Sequence, residues 1–216
     1  MKIRRHLALM AIAIVVPVAL VSALALNSLL NAERQALLQS MRETARATGM
    51  AVDREWSNAD GVARALAISQ PLARGDFAEF DRQVRVANGD SGMHTALLDE
   101  GGRQIFNTVR PFGAPIRLPS TDTLTRVNAV LAANKPQISN LIVGRATGKY
   151  VAALEMPVTL DDGRRVVISE WFYAEHFATA FPDKSMPPSW LIGIFDGPGR
   201  TVLRNRGRSA YMGQLL

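Results

Sequence analysis

The hydrophobic and polar positions divide the chain into three parts, and the first is almost wholly apolar. Residues 7–32 carry no charged side chain, and residues 7–26 are apolar except for Pro17 and Ser22. A helix of about twenty apolar residues, at about 1.5 Å per residue, spans roughly 30 Å, the thickness of the hydrocarbon core of a bilayer. We therefore expect a transmembrane helix over 7–30 after a basic head over 1–6.

The basic head predicts how this segment is oriented. Lys2, Arg4 and Arg5 precede the apolar residues, and such residues stay on the cytoplasmic side of a membrane. The N-terminus is then cytoplasmic, and the remainder of the chain lies across the membrane. The alternative is a cleaved signal peptide, because Ala23-Leu24-Ala25 is an acceptable small-x-small cleavage site. Both interpretations export the body of the protein.

The second part has the periodicity of one long helix. Apolar or small residues recur at spacings of three and four, close to the period of a straight helix. They are Leu37, Met41, Ala45, Thr48, Val52, Trp56, Ala59, Ala63 and Leu66. The pattern predicts a helix from about residue 29 to 69, ended by Pro71, because the residue before a proline is disfavoured in helices. We assign 31–70 as a juxtamembrane helix. It either dimerises and transmits motion or packs on its own domain.

The third part, residues 71–185, mixes short strands with capped helices. Asp76 and Ser120 are helix N-caps, for helices over 77–87 and 120–133. Further β-rich or helical segments are expected at 93–99, 104–109, 137–143, 150–160, 165–173 and 174–181. These elements predict an α+β module with an antiparallel sheet of about five strands and helices on the outside.

The pattern of one hairpin occurs twice. Residues 97–108 and 194–205 both have an apolar strand, an aspartate, a glycine-containing turn, an arginine and a second apolar strand. A pattern repeated at a fixed offset indicates a structural unit used twice. We therefore expect a complete module over 71–185 and the start of a second over 186–216. Asp99 and Asp196 hold equivalent positions, which favours a role in the turns over acid–base catalysis.

The charge distribution argues against nucleic-acid binding. The net charge is +6, but residues 1–5 hold three of the 25 basic groups and residues 197–216 hold four, which leaves 18 basic and 19 acidic groups elsewhere. A domain that binds nucleic acid has a basic stripe on its folded surface. We expect no nucleic-acid partner.

Candidate catalytic and metal-binding groups are sparse. The chain has no cysteine, so it has no disulfide, thiolate ligand or thiol nucleophile. Ser91 lies in a sequence similar to a protease nucleophile loop, but a serine needs an imidazole base, and the sole upstream histidine is His6. His94 and His176 are not spaced as a ligand set. We expect no enzymatic activity in this chain, no metal site and no cofactor.

The order of elements and three motifs carry a resemblance to a known family. The motifs are L-L-D-x-x-G-R-x-I-F-N at 97–107, R-P-x-G-x-P at 110–115 and W-L-I-G-I-F-D-x-x-G-R at 190–200. Together with the long juxtamembrane helix, they resemble the double Cache sensor. This is a pair of PAS-like domains in the extracellular part of bacterial sensor histidine kinases, chemoreceptors and related transducers. The sequence departs from that family by ending inside the second module, without a second membrane span, a kinase or a methyl-accepting module.

The resemblance implies a periplasmic sensor input, anchored in the bacterial inner membrane by a single pass and present without its output domain. Its first module would be distal from the membrane and bind an unknown small molecule, and the long helix would form a homodimer. The alternative is an exported stand-alone ligand-binding protein with a cleaved signal peptide.

PAS-like architecture places the ligand between the sheet and the helices and loops that cover it. The candidate ligand-binding residues are Arg110, Tyr150, Glu155, Trp171 and Tyr173, which supply aromatic walls and two charges. The alternative is that Trp171 is a core residue and that Arg110 and Glu155 lie on the surface.

Overall fold

The computed structural model describes residues 2–182, 186–187 and 189–215, and the side chains of 2–15, 18, 208 and 209 lie outside that description. The chain divides into two compact units, 1–47 and 48–216. Helix α1 (Lys2–Ala67) contributes to both. The predicted transmembrane segment 7–30 therefore falls partly outside the described side chains. Within the described residues, no helix has the length and apolar character needed to cross a membrane.

The end of α1 differs slightly from the prediction. The helix stops at Ala67, and Ser69 caps a second short helix, α2 (Gln70–Ala73), by accepting a hydrogen bond from the Leu72 amide at 3.4 Å. Pro71 lies in the first turn of α2, where a missing N–H costs nothing. Two non-helical residues, Ile68 and Ser69, separate the helices, so the proline lies at the start of a new helix and does not itself end the long one.

The predicted helix caps are confirmed. Asp76 caps α3 (Phe77–Asn88) by accepting from the Glu79 amide, and Ser120 caps α4 (Thr121–Ala133) by accepting from the Thr123 amide. These bonds satisfy helix N–H groups that have no partner within the helix. The segment after the sheet, predicted as a helix, is a 3₁₀ helix (Ala174–Ala180).

A six-stranded antiparallel sheet forms the centre of the second unit. Its strands are β1 (His94–Asp99), β2 (Gln104–Asn107), β3 (Gln137–Ile138), β4 (Ile142–Val143), β5 (Tyr150–Thr159) and β6 (Arg165–Tyr173). The order is β2-β1-β6-β5-β3, and β4 also pairs with β5. The α+β class, with a long N-terminal helix and an antiparallel sheet, is confirmed.

The predicted strand over 137–143 is divided into β3 and β4 by a change of hydrogen-bond partners. The Ser139 hydroxyl accepts from the Ala153 amide at 3.0 Å, and the Leu141 amide donates to the Asp196 carboxylate at 3.1 Å. The Ser139 amide still donates to the Ala153 carbonyl at 2.7 Å, but the Ala153 and Leu141 amides bond side-chain oxygens, so the regular backbone ladder with β5 is interrupted between the two short strands.

The two faces of the sheet are covered differently. One face packs against the end of α1, α2 and α3 through a large apolar cluster. Its members include Ala59, Ala63, Leu66, Leu72, Phe80, Val84, Leu97, Leu154, Ile168 and Phe172. The other face packs against α4 through a smaller cluster that includes Ala96, Leu98, Val127, Val130, Ala153, Val167 and Trp171. The second face retains a large open cavity.

After the sheet, the chain forms a second hairpin, β7 (Gly193–Phe195) and β8 (Thr201–Arg204), and a short helix, α5 (Arg208–Tyr211). Strands β7 and β8 are antiparallel and have a register shift one residue before the turn, as β1 and β2 do. The repeated pattern in the sequence therefore corresponds to a repeated hairpin. The boundaries 71–185 and 186–216 stay predictions.

The two turns share their hydrogen bonds as well. In each, the aspartate carboxylate accepts from the amide of the arginine four residues later, at 2.9 Å for Asp99 and 2.7 Å for Asp196. The amide of a glycine donates to the aspartate carbonyl at 2.9 Å in both. Gly102 and Gly199 have φ of 71° and 88°, a conformation that favours glycine. The predicted role of both aspartates in turn structure is confirmed.

Candidate functional site

A cavity of about 760 Å³ lies on the α4 side of the sheet. Its floor is the face of β1, β5 and β6 that carries Ala96, Ala153 and Ser169, and its walls are α4 and the segment 137–147. This volume is in the range of cavities that hold small molecules. Because side chains alternate between the two faces of a sheet, every second residue of β5 and β6 faces this cavity.

Helix α4 places an arginine at the edge of its buried side. Val127 and Val130 are fully buried against the sheet, and Thr123 is also buried. Arg126 lies three residues after Thr123 and four before Val130, so it shares that side of the helix. Its side chain is 21% exposed and lines the cavity.

Arg126 is held in place by Glu155 of β5. Its Nε lies 2.8 Å from both carboxylate oxygens of Glu155, whose side chain is only 1% exposed. Burial raises the pKa of Glu155, because the charged form loses its hydration, and the adjacent Arg126 opposes that change. The pair connects α4 to the sheet at the floor of the cavity.

A second arginine lines the same cavity from the turn before β5. Arg145 donates from Nη2 to the Leu118 carbonyl at 2.5 Å, while its Nε is buried with no hydrogen-bond partner among the described residues. Ser169, which pairs with Glu155 across the strands, also lines the cavity.

Aromatic side chains lie on this face of the sheet where β1 begins and β6 ends. The ring of Trp171, which lines the cavity, is 4.6 Å from the ring of His94 and 5.2 Å from that of Tyr173. Lys149 Nζ lies 5.2 Å from the centre of the Tyr173 ring. Burial lowers the pKa of His94, and the charge of His176 lowers it further.

The five residues predicted to bind ligand are only partly brought together. Glu155 and Trp171 line the cavity, and Tyr173 is on the same face of the sheet. The register pairs Ala153 with Trp171 and Val151 with Tyr173, so the odd-numbered residues share this face. Tyr150 is therefore on the other face, where its hydroxyl lies against Gly213. Binding of a ligand by these residues stays a prediction.

Arg110 is in a loop outside the cavity lining. It donates from Nη2 to the Ala146 carbonyl at 3.1 Å, and so connects the loop after β2 to a turn that does line the cavity. Arg126 and Arg145 were not predicted. For Arg126, the sequence contains a usable signal, since an arginine within the apolar stripe of an amphipathic helix requires a polar partner.

The opposite face of the sheet contains another buried glutamate. Glu170 Oε2 accepts from the Thr95 hydroxyl at 2.7 Å, and Asn88 Nδ2 donates to the same hydroxyl oxygen at 2.9 Å. Glu170 Oε1 has no hydrogen-bond partner in the described structure. Burial outweighs the opposing effect of the hydrogen bond from Thr95, and the pKa of Glu170 is raised to about 8.

The second hairpin lines the cavity through Arg200 and contacts one of its walls through Asp196. Asp196 accepts from the Leu141 amide at 3.1 Å and from Arg200 Nε at 2.9 Å, and Arg200 lines the cavity. A smaller cavity of about 330 Å³, mainly apolar, lies between this hairpin, the 3₁₀ helix and the part of α1 near Trp56. The hairpin is thus in direct contact with one wall of the main cavity.

The remaining candidates for chemistry do not form a site. The Ser91 hydroxyl accepts from the Met93 amide at 3.2 Å, as expected for a polar turn, and the side chain of His6 lies outside the described residues. In the described ranges, no three His, Asp or Glu side chains are grouped as metal ligands.

Comparison with known proteins finds similarity in the fold alone. No protein-family model matches the chain, and no curated protein matches it. The ligand-binding domain of the Pseudomonas fluorescens chemoreceptor CtaA, in complex with L-isoleucine, aligns with a TM-score of 0.60 and 14% identity over 86% of this chain and 75% of that one.

Two further solved structures are similar. The sensor domain of the V. cholerae histidine kinase DctB aligns with a TM-score of 0.58 and 12% identity, over 82% of this chain and 69% of that one. The ligand-binding domain of the Pseudomonas aeruginosa PAO1 amino acid chemoreceptor PctC, in complex with GABA, aligns with a TM-score of 0.54 and 19% identity, over 80% of this chain and 77% of that one. The chain therefore has the fold of the ligand-binding sensor domains of bacterial chemoreceptors and histidine kinases, as its resemblance to the double Cache sensor predicts.

Proposed function

We propose that this protein is the extracytoplasmic input of a membrane-bound signal-transduction receptor and that it senses a small molecule in the cavity between α4 and the sheet. The observation that carries the proposal is the cavity of about 760 Å³, with the Arg126–Glu155 pair at its floor. A pocket with a few oriented polar groups on apolar walls is the usual form of a small-molecule site. The similar domains of CtaA and PctC hold L-isoleucine and GABA, which supports a small ligand here.

The mechanism is differential binding. A ligand that prefers one arrangement of α4 and segment 137–147 over the sheet shifts the protein toward that arrangement. Asp196 bonds to the Leu141 amide in that segment, so the change is passed to the second hairpin. In this proposal the chain is anchored in the bacterial inner membrane through residues 7–30, with its N-terminus cytoplasmic, and forms a homodimer through residues 31–70.

Binding in the cavity is tested by filling it. Ala129 is an exposed residue of α4 that lines the cavity, so Ala129→Trp should narrow the cavity without disturbing the core. Asn128, its exposed neighbour outside the lining, supplies the matched control Asn128→Trp. The full chain and both variants are screened by thermal shift against a broad panel of metabolites.

Compounds that raise the melting temperature of the parent and of Asn128→Trp, but not of Ala129→Trp, would support the proposal. Equal responses in all three proteins would remove the cavity as the site. A panel without any stabilising compound would count against sensing altogether.

The membrane anchor is tested separately by expressing the full chain in bacteria. We expect it to fractionate with the inner membrane at its full mass. A mature chain beginning after Ala25 would instead identify an exported stand-alone binding protein.

A further inference from the structure

The donors of Arg126 are divided between the protein and the cavity. Its Nε is fully used by Glu155, at 2.8 Å from both oxygens. Its two terminal nitrogens make no hydrogen bond with any described residue, and the side chain, 21% exposed, lines the cavity. The ion pair thus fixes the guanidinium and leaves its outer N–H groups available to an acceptor.

Arg145 also has an unused donor. Its Nη2 is held by the Leu118 carbonyl, and its Nε is buried with no partner in the part of the chain that the structure describes. Its Nη1 makes no hydrogen bond with any described residue, and the side chain lines the cavity, so a bound molecule that supplies an oxygen can accept from this nitrogen. Two arginines from different elements therefore require acceptors in one cavity.

The acidic groups that line the cavity do not balance this requirement. Both oxygens of Glu155 are used by Arg126, and Asp122 is exposed on α4. Arg200 adds a third guanidinium to the lining, paired with Asp196. No described carboxylate lines the cavity both buried and free to bind a ligand cation.

We propose, on the basis of the function proposed above, that the ligand is a small organic carboxylate without an ammonium group. Its carboxylate accepts from Arg126 and Arg145, and its carbon skeleton lies against the apolar floor near Ala96 and Trp171. An ammonium group would be placed near arginines with no free buried carboxylate, where like charges repel and the lost hydration is not replaced.

Matched pairs of compounds test this directly. Each pair has the same skeleton and differs in a hydroxyl or an ammonium group at one carbon. The pairs are lactate and alanine, malate and aspartate, and 3-phenyllactate and phenylalanine, and inorganic phosphate is tested alone. Calorimetry on the full chain should give a Kd at least about tenfold lower for a hydroxy acid than for its matched amino acid.

Two variants connect the preference to its residues. Arg126→Lys keeps a positive charge beside Glu155 but removes the planar terminal donors, and Arg145→Gln leaves the ion pair intact. Each should weaken binding of the hydroxy acid at least about tenfold. Arg117→Gln, at an exposed arginine outside the lining, is the matched control and should leave the Kd unchanged.

Amino acids that bind as well as or better than their hydroxy-acid partners would overturn the inference, as would phosphate that binds more tightly than every carboxylate. An unchanged Kd in both Arg126→Lys and Arg145→Gln would also overturn it. These results leave the sensing function in place if any compound still binds in the cavity. Failure of the sensing function would appear as no binding by any compound in the broad panel.

Discussion

Two buried glutamates lie on opposite faces of one sheet, and their carboxylates have different polar partners. On the cavity face, both carboxylate oxygens of Glu155 accept hydrogen bonds from Arg126 Nε. Glu170, on the face covered by α3, has a hydroxyl donor on one oxygen and no described partner on the other. Burial raises the pKa of both. One buried carboxylate therefore has a cation as its partner and the other has a single hydroxyl donor, and this difference determines how each face responds to mutation and to pH.

The largest expected effect comes from removing the cation on the cavity face. Arg126→Met leaves Glu155 buried without a counter-charge, and breaking such a pair costs about 3–5 kcal/mol of unfolding free energy. Urea denaturation of the parent and the variant measures the difference. Arg64→Met, which breaks an exposed pair with Asp60, is the control and should leave the stability unchanged within error. A loss no larger than in the control would show that the pair does not hold α4 to the sheet.

On the other face, the proton on Glu170 predicts a pH dependence. Because its pKa rises from 4.5 to about 8 on folding, the folded state binds more protons than the unfolded state between these values. The contribution of Glu170 to the free energy of unfolding is then greatest at or below about pH 4.5 and falls as the pH approaches 8, by up to about 1.4 kcal/mol per pH unit. Glu170→Gln should remove this slope.

The measurement is a series of urea unfolding curves from pH 5 to 9. Glu175→Gln changes an exposed glutamate and should retain the parental slope. If Glu170→Gln retains it as well, Glu170 is ionised in the folded protein at neutral pH, and the contrast between the two faces disappears.

A smaller effect is expected at the hydroxyl that contacts Glu170. Thr95→Val removes the donor to Glu170 and the acceptor for Asn88 at nearly constant shape, at a cost of about 1–3 kcal/mol. Because the bond from Thr95 lowers the pKa of Glu170, its loss should also move the end of the pH slope to higher pH. Thr95→Ser keeps the hydroxyl and should behave like the parent. A Thr95→Val protein with the parental stability and pH profile would exclude this interaction.

The smallest effect is expected at Ser169, next to Glu170 in sequence but on the cavity face. Ser169→Ala removes a hydroxyl that makes no hydrogen bond with a described residue, so the unfolding free energy should change by less than about 0.5 kcal/mol. Thermal and urea unfolding measure it. A loss above about 1 kcal/mol would mean that Ser169 has a structural partner and does not simply face the cavity.

Local signals in the sequence were sufficient for most of the elements. Asp76 and Ser120 can be predicted as caps from the sequence because a cap bonds helix amides only a few residues away. The repeated hairpin can be seen in the sequence because each turn is held by an aspartate, Asp99 or Asp196, and by a nearby glycine. Interactions of this kind involve residues within one short segment, which is why a single sequence reveals them.

The candidate site was harder to predict from the sequence because it depends on strand register and on contacts between distant residues. Tyr150 and Trp171 both appear in strands, but their faces follow from which residues of β5 and β6 are paired. Arg126 and Glu155 are 29 residues apart in the chain and meet only when α4 packs on the sheet. Glu155 and Glu170 are both single glutamates within apolar segments, so the sequence alone does not show which of them faces the cavity.

The division of the outer strand into β3 and β4 also affects self-association. A long, regular strand at the edge of a sheet exposes a row of backbone groups that can pair with the edge of another molecule and start aggregation. Here the edge is broken into two short pieces, and the Leu141 amide between them is already bonded to Asp196. The contact that joins the second hairpin to the cavity wall thus also protects this edge from adding a foreign strand.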